Sequence, residues 1–579
     1  MRGGSRATFA LLLLLLTFPA FANLTSSALT GEVIASNAPA AGVTVTATSR
    51  ATQTTRTATT NARGQYWIGA LTPGQYDITF SRTGLASLSR PATIELGRIT
   101  RSDAQLEPSE DEETVMSTVT TVSVAETTAI TTHFWADELD RVPLRRDVDT
   151  AATLSPTPLE TEVILDDTAV LFAGLLGEEA LDEVTIVRGA LPIELDRFGH
   201  GAILARTRSG GDEFSLSLRD TYSTADGGGN VLESSSAGRI VPERLWFFAA
   251  GWGGEATDVH LRKLRGFTLK ATAQATASHQ FVASHFDADA KSSIFDFSTT
   301  ATSVRYTGIV SEPLVVEAIA SRSRATSNSS AIAADEIGGK LSYRIADHVL
   351  TAGGNRSDHL TRGDVNAFYV SDRWSLGRWT VDTGVRRDED RTTPRIAAAF
   401  DLRSNRGSHA IVASWGEYLE FPRPAAPGLA RPPVSRVATL GYTSSLESSG
   451  AARIDFFHFE GARRMDQVQA DARYRMFDRF EAGGSYTYSR GDDALRAHLG
   501  SARIGVQIPF AGHELAAMLL ERYDSANWTT DFGVRYDFPV RRLALTVAAD
   551  VTNVFDSREE TIVTPSQTRA FRFWLRARL

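Results

Sequence analysis

Phe571-Arg572-Phe573-Trp574-Leu575-Arg576-Ala577-Arg578-Leu579, the closing stretch of the chain, alternates strictly. Phe571, Phe573, Leu575, Ala577 and Leu579 make one apolar face, and Arg572, Trp574, Arg576 and Arg578 make the other. A helix would scatter the arginines around its circumference, whereas a strand of period two gathers them on one side. A half-buried strand of a water-soluble sheet satisfies this pattern. So does the last strand of a membrane β-barrel, apolar outside and charged inside.

The same pattern recurs upstream. Phe214, Leu216 and Leu218 alternate with Ser215, Ser217 and Arg219; Leu269, Ala271 and Ala273 with Lys270, Thr272 and Gln274; Ala470, Ala472 and Tyr474 with Asp471, Arg473 and Arg475. A soluble sandwich would need a second layer over each apolar face. A closed wall facing lipid needs none and leaves no exposed edge. From Asp212 onward the chain has room for roughly 22 membrane strands of about 9–11 residues with short connections. A barrel of about 16 to 20 strands fits the same residues. Trp246, Trp252, Trp374, Trp379, Trp415, Tyr418, Tyr486, Tyr488 and Tyr536 sit near expected strand ends, as interfacial girdles require. Ala277-Ser278-His279 and Phe477-Asp478-Arg479 read as tight turns at one end, and 225–230 and 490–493 as loops at the other.

Composition agrees. At 579 residues and a formal net charge of −9, the chain has no basic run that would suggest nucleic acid. Cysteine is absent, so there is no disulfide framework and no thiolate metal site. Arg2 and Arg6 precede an apolar core from Phe9 to Phe18, and Ala20-Phe21-Ala22 is a small-x-small cleavage site. Residues 1–22 therefore read as an export signal.

Residues 23–107 read as a small β-sandwich. Val43, Val45 and Ala47 alternate with Thr44, Thr46 and Thr48, and Asn61-Ala62-Arg63-Gly64 and Thr72-Pro73-Gly74 are turns. Gly31-Glu32-Val33, Ala41 to Val45, Asn61 to Tyr66 and Leu71 to Tyr76 resemble the carboxypeptidase-regulatory-like (transthyretin-like) domain. That resemblance brings no peptidase with it. No histidine has a glutamate three residues later, and His513-Glu514 is followed by Ala517 where a zinc motif needs its second histidine. The G-x-S-x-G elbow and the phosphate-binding loop are also missing. The chain reads as no enzyme, with no cofactor and no metal.

Residues 108–118 form an acidic linker ending in Glu113-Thr114-Val115-Met116, an extended segment suited to adding a strand to a partner's sheet. Residues 119–211 mix strands and loops. The segment beginning Leu139 to Asp147, the strand Val163-Ile164-Leu165 ending in Asp166-Asp167, the run Asp182 to Arg188-Gly189, and Phe198-Gly199-His200-Gly201 resemble the plug of TonB-dependent outer-membrane receptors, in particular the Oar-like branch. Asp166-Asp167 stands where that family has Asp-Gly. Adjacent acids on a strand point to opposite faces, which favours a structural or ligand-gating role over paired acid–base chemistry. The barrel carries phrases similar to the same branch: Pro242 to Phe248, Phe368 to Trp374, Gly384 to Asp388 followed by Pro394 to Ala397, and Val551 to Asp556.

The expected fold is all-β: an N-terminal β-sandwich, a small α+β plug and, over 212–579, a large antiparallel transmembrane barrel. The resemblance implies a Gram-negative-type outer-membrane receptor that contacts outer-membrane lipid, an extracellular ligand and a periplasmic TonB-type coupling protein. The coupling protein would engage Glu113, Thr114, Val115 and Met116, and the plug motif residues would be Asp166, Asp167, Arg188, Gly189, Gly199 and Gly201. A passive or adhesive barrel without active transport, and a secreted soluble β-protein, are the rival readings. The inward arginines Arg386, Arg473, Arg475, Arg572 and Arg576 suit anionic cargo, but charged lumens are common in any pore.

Overall fold

The computed structural model describes residues 27–95, 99–108, 114–116, 128–155, 162–189, 191–195, 201–224, 228–258, 261–292, 296–311, 313–327, 330–359, 363–389, 391–402, 408–419, 434–446, 450–461, 464–477, 479–492, 496–525, 527–555 and 569–579. The expected export signal, Glu113 and Gly199 lie outside them.

Twenty-two antiparallel strands, from Ser215–Ser223 to Ala570–Arg578, close into a barrel. Its seam is the pairing of Ser217–Ser223 with Arg572–Arg578. The strands run from 9 to 16 residues, many longer than a bare membrane crossing requires. At one end they are joined by two-residue turns: Ala277-Ser278, Ala346-Asp347, Gly377-Arg378, Ala511-Gly512 and Arg541-Arg542. Several adopt positive φ, the conformation that matches strand twist in a tight hairpin. This is the short-turn end.

The alternation in sequence becomes the two faces of the wall. Phe571, Phe573 and Leu575 are exposed on the outside while Trp574 and Arg576 are buried within. Phe214, Leu216, Leu218 and Leu269 likewise face out, and Arg219, Lys270 and Thr272 face in. An outer wall this apolar is stable only against lipid.

Three of the nine expected girdle aromatics are not on the outside. Trp246, Trp252 and Tyr418 are buried on the lumen side. Their strand positions have inward parity, and the interior can bury them because it is filled. Trp252 lies against Gly177 of the plug, Trp246 donates its indole N–H to Asp212 at 2.7 Å, and Arg395 stacks over Tyr418 at 4.4 Å.

The filling is a five-stranded mixed sheet, ordered Ile130–Trp135, Leu181–Arg188, Ala202–Thr207, Glu162–Leu165, Thr168–Val170. Short helices Ala136–Leu139 and Val148–Leu154 lie beside it, the second capped by the Asp147 carboxylate accepting from the Thr150 N–H. Its apolar core (Phe134, Leu139, Val184, Ile186) runs without a break into wall residues Phe248, Trp252 and Phe286.

The N-terminal region is a two-sheet sandwich over a core of Leu29, Val43, Val45, Tyr66, Ile78 and Phe80. In its turn, the Asn61 side chain accepts from the Arg63 and Gln65 N–H groups, and Gly64 has φ +73. A Cβ at Gly64 would lie 2.3 Å from the Val33 carbonyl oxygen, so only glycine fits there. The sandwich abuts the short-turn end of the barrel. Arg56 donates to the Ala277 carbonyl, Arg63 pairs with Asp347, Thr72 bonds Gln280 and Arg344 bonds the Gln65 carbonyl.

Candidate functional site at the plug and barrel wall

The chemistry of this chain is concentrated where the plug meets the wall. At the seam, Arg219 of the first barrel strand lies directly opposite Arg576 of the last. Two like charges in that register repel. The plug supplies their counter-ions. Asp140 faces Arg219 at 3.1 Å and Arg146 at 2.8 Å, and also pairs with Arg576. Glu178 meets Arg219 at 2.7 Å and Arg572 at 3.5 Å, and Glu179 meets Arg146 at 3.3 Å. Burial pushes the Asp140 carboxyl up, but Arg146, Arg576 and Arg219 outweigh it and hold it well below the usual range. Burial also opposes ionisation of Glu179, and Arg146, Arg208 and Arg576 bring it down to about 2. Asp140, Arg146, Glu178, Glu179, Arg219 and Arg576 are all buried, so each depends on its partners for solvation.

A second cluster surrounds Asp166 and Asp167. The strand expected to end in these acids stops at Leu165. Asp166 and Asp167 are instead a two-residue turn with φ +45 and +65. Aspartate tolerates this left-handed region, which accounts for the absence of the family's glycine. The opposite-faces expectation for adjacent strand positions therefore does not apply. Both acids reach the wall: Asp166 to Lys270 at 2.7 Å, Asp167 to Arg305 at 3.0 Å. The chain of charges continues from Arg305 to Glu317 at 2.6 Å, to Lys340 at 3.3 Å and back to plug residue Glu194 at 3.3 Å.

The third expected group is Arg188-Gly189. Arg188 donates to the Ser155 carbonyl at 2.5 Å and to its hydroxyl at 2.6 Å, and lies 3.7 Å from Asp471 of the wall. Gly189 has φ +53, and a Cβ there would meet Thr439 Cγ2 of the wall at 2.5 Å. Gly201, φ +130, opens the strand Ala202–Thr207. Asp166 and Asp167 share a turn, Arg188 and Gly189 share a strand end, and Gly201 lies at that same end, since the next residue, Ala202, pairs with Val187. Thr114–Met116 is a short strand on the edge of the sandwich, parallel to Ser87-Leu88-Ser89.

Four of the five inward arginines are engaged by the plug. Arg386 donates to the Glu194 carbonyl at 3.2 Å, Arg473 to His133 at 2.8 Å, and Arg572 to Leu144 at 2.6 Å, while Arg576 holds Asp140. Arg475 lies 3.8 Å from Glu481 of the wall. These cations hold the plug and do not line an open anion path. Sequence reasoning did not single out Asp140, Arg146, Glu178 and Glu179. Their signal was indirect: inward arginines on adjoining strands of a filled barrel require buried carboxylates.

Sandwich, plug and wall together enclose a cavity of about 190 Å³, lined by Trp67 and Ile99 of the sandwich, Ala129 and Leu191 of the plug, and Val349 and Trp415 of the wall.

The carboxypeptidase regulatory-like domain family matches residues 28–107. In sequence, the chain is 28% identical over 279 residues to the TonB-dependent transporter Oar of Myxococcus xanthus. That match covers 39% of this chain and 26% of the transporter, so it spans about a quarter of the relative's length. In structure, the siderophore receptor PirA of Pseudomonas aeruginosa superposes with a TM-score of 0.64 at 14% identity, over 78% of this chain and 99% of that one. BauA, the ferric preacinetobactin receptor of Acinetobacter baumannii, gives 0.65 at 11% identity, over 79% and 97%. A closed 22-strand barrel around a charge-tethered plug, preceded by a carboxypeptidase regulatory-like sandwich, gives this chain the fold of the TonB-dependent outer-membrane receptors.

Proposed function

We propose that the protein is an outer-membrane receptor that binds a ligand at its long-loop face and admits it through the barrel when a periplasmic TonB-type protein remodels the plug. In this reading 23–107 is a periplasmic sandwich, 108–118 carries the coupling segment, 119–211 is the plug and 212–579 the barrel. The observation that carries it is the plug itself. It fills the lumen, and a set of buried ion pairs tethers it to the wall beside an apolar core shared with the wall. The hydrogen-bond geometry within these pairs is directional, so a displacement of the plug weakens several of them together. Such a stopper is firm at rest and releasable by force.

Glu113, Thr114, Val115 and Met116 are the proposed contact for the coupling protein. The strand geometry of Thr114–Met116 supports this, because the segment already pairs by β-augmentation within its own chain. Asp166, Asp167, Arg188, Gly189, Gly199 and Gly201 are the proposed plug motif. PirA is a siderophore receptor, so siderophores are the first cargo class to screen.

The test is binding of a purified periplasmic TonB domain to the detergent-solubilised chain, with and without residues 111–119. Binding that disappears with the deletion supports an energised receptor and locates its coupling segment. No binding to the intact chain favours the passive or adhesive barrel, in which the plug is a fixed stopper.

A further inference from the structure

The outer wall carries a repeated histidine device at the short-turn end. His279, His348 and His513 are each the first residue of a strand leaving a short turn, and His409 is the second. Each shares its outward parity with an exposed apolar residue two positions on: Phe281, Leu350, Leu515 and Ile411. Each also stacks on an aromatic ring of the following strand. The partners are Tyr306 at 5.9 Å, Trp374 at 5.5 Å, Tyr536 at 5.7 Å and Tyr442 at 6.2 Å. In the three tyrosine pairs the phenol oxygen lies 2.7, 2.7 and 3.0 Å from Nδ1 of His279, His513 and His409.

The chemistry of that pair is directional. In the tautomer with the ring proton on Nε2, the phenol O–H donates to Nδ1 and the ring keeps one N–H donor. Each tyrosine thus fixes a histidine with an N–H donor on the lipid-facing wall. Nothing in the packing of an apolar wall calls for a polar donor there, and this one recurs around the circumference.

Apart from Asp372, which lies 2.7 Å from Nδ1 of His348, its surroundings are cationic. The turns at the same end carry Arg244, Arg378, Arg479, Arg541 and Arg542, all exposed and none within an ion pair to a described carboxylate. Against them the described turns set Glu243 and Asp347, and Asp347 is already held by Arg63. Exposed Trp379, Phe480 and Phe510 stand at the same strand ends as the histidines, Phe510 directly opposite His513, and exposed Phe477 lies in the turn with Arg479. From the wall outward, the order is apolar strand, one belt of aromatic rings and fixed imidazole N–H groups, then guanidinium. That order complements acyl chain, glycerol, phosphate and anionic headgroup.

We propose that this rim is a binding surface for anionic glycerophospholipids, whose phosphates are accepted by the tyrosine-fixed histidines and whose net charge is met by the turn arginines. The inference is independent of the cargo and of the coupling protein.

The test uses the full chain in nanodiscs of equimolar phosphatidylcholine and phosphatidylglycerol. It is then stripped in detergent, and the retained lipids are counted by class in native mass spectrometry. The expected result is about fivefold enrichment of phosphatidylglycerol among retained lipids, the effect of one basic contact at a membrane surface. The triple variant His279→Phe, His409→Phe, His513→Phe keeps the ring stack and removes the donor. It should cut the enrichment at least by half, and Arg541→Gln with Arg542→Gln should lower it separately. Heat-modifiable gel mobility checks that each variant remains a closed barrel. Equal retention of the two lipids by the unaltered chain would overturn the proposal. So would enrichment that survives the triple variant and falls only with the arginines, since charge alone would then explain it.

Discussion

Asp140 is the residue on which the seam depends. It is fully buried among Arg146, Arg219 and Arg576, two of which belong to strands that would otherwise set like charges side by side. Removing its charge leaves those cations in a low-dielectric site with Glu178 and Glu179 as their remaining plug acids. Breaking a buried pair in this way costs about 3–5 kcal/mol. Asp140→Asn should therefore lower the thermal stability of the detergent-solubilised chain by that order, and an unchanged melting temperature would refute the account. The pH dependence has a definite sign. Asp140 and Glu179 have depressed folded pKa values, that of Glu179 about 2. Their contribution is complete above the ordinary carboxylate range near pH 4 and is lost as pH falls toward 2. The gap between the unaltered chain and Asp140→Asn should accordingly be constant from pH 7 to about 5 and narrow below pH 4. Gly189 presents the steric counterpart. Gly189→Val would place a Cβ 2.5 Å from Thr439 Cγ2 in a backbone region closed to branched residues, so it should destabilise plug seating by about 1–3 kcal/mol. The same melting experiment reads it.

Elements were more legible than residues, because a period of two is written into every strand while a partner across the lumen is not. Phe571 to Leu579 and Leu269 to Ala275 needed only parity to assign their faces, and a closed wall followed from the absence of a covering layer. Trp246, Trp252 and Tyr418 were misassigned for the same reason. Aromatics at strand ends suit a membrane interface, but parity turned these toward a plug whose shape no local pattern encodes. Asp166-Asp167 was legible as a strand end and not as a turn, since the glycine that usually announces such a turn is replaced by an acid recruited to Lys270 and Arg305. The strand Thr114–Met116 carries its own prediction. It pairs with Ser87–Ser89 over only three residues, in parallel. If a coupling protein takes this strand by β-augmentation, the two edges compete for one set of backbone groups. Hydrogen exchange on the full chain should show slowed amides at 114–116 alone. Adding the periplasmic TonB domain should keep 114–116 protected and release protection at 87–89. Protection at both after binding would mean that the partner adds to the outer edge without exchange.

At the scale of the molecule, two closures stand in series between the long-loop face and the short-turn end, and they are built differently. The plug is tied by buried charges at the seam, at Asp166-Asp167 and at Arg188, and its core is continuous with the wall. The sandwich touches the barrel through partly exposed contacts. Arg63 in its pair with Asp347 is 61% exposed, and Arg56 to Ala277, Thr72 to Gln280, Arg344 to the Gln65 carbonyl and the Asp212 N–H to the Ala51 carbonyl are isolated hydrogen bonds. Exposed pairs of that kind contribute about 0–1 kcal/mol each. Buried ion pairs whose loss strands a charge resist separation far more strongly. The barrel outlasts both, since opening it means breaking complete antiparallel ladders on both sides of a strand. A urea titration of the chain in bilayers should therefore resolve three events in order. Hydroxyl-radical labelling of the Arg63–Trp67 side chains comes first, as the sandwich undocks while the pore stays closed. Ionic conductance follows at higher urea, as the plug leaves its charges. Loss of heat-modifiable gel mobility comes last, as the wall opens. Asp347→Arg should advance the first event and leave the second in place, whereas Asp140→Asn should advance the second and leave the first. If conductance began together with side-chain labelling at Arg63–Trp67 in every variant, sandwich and plug would be one closure. The cavity between Trp67, Leu191 and Val349 would then be a packing gap, not the boundary between two gates.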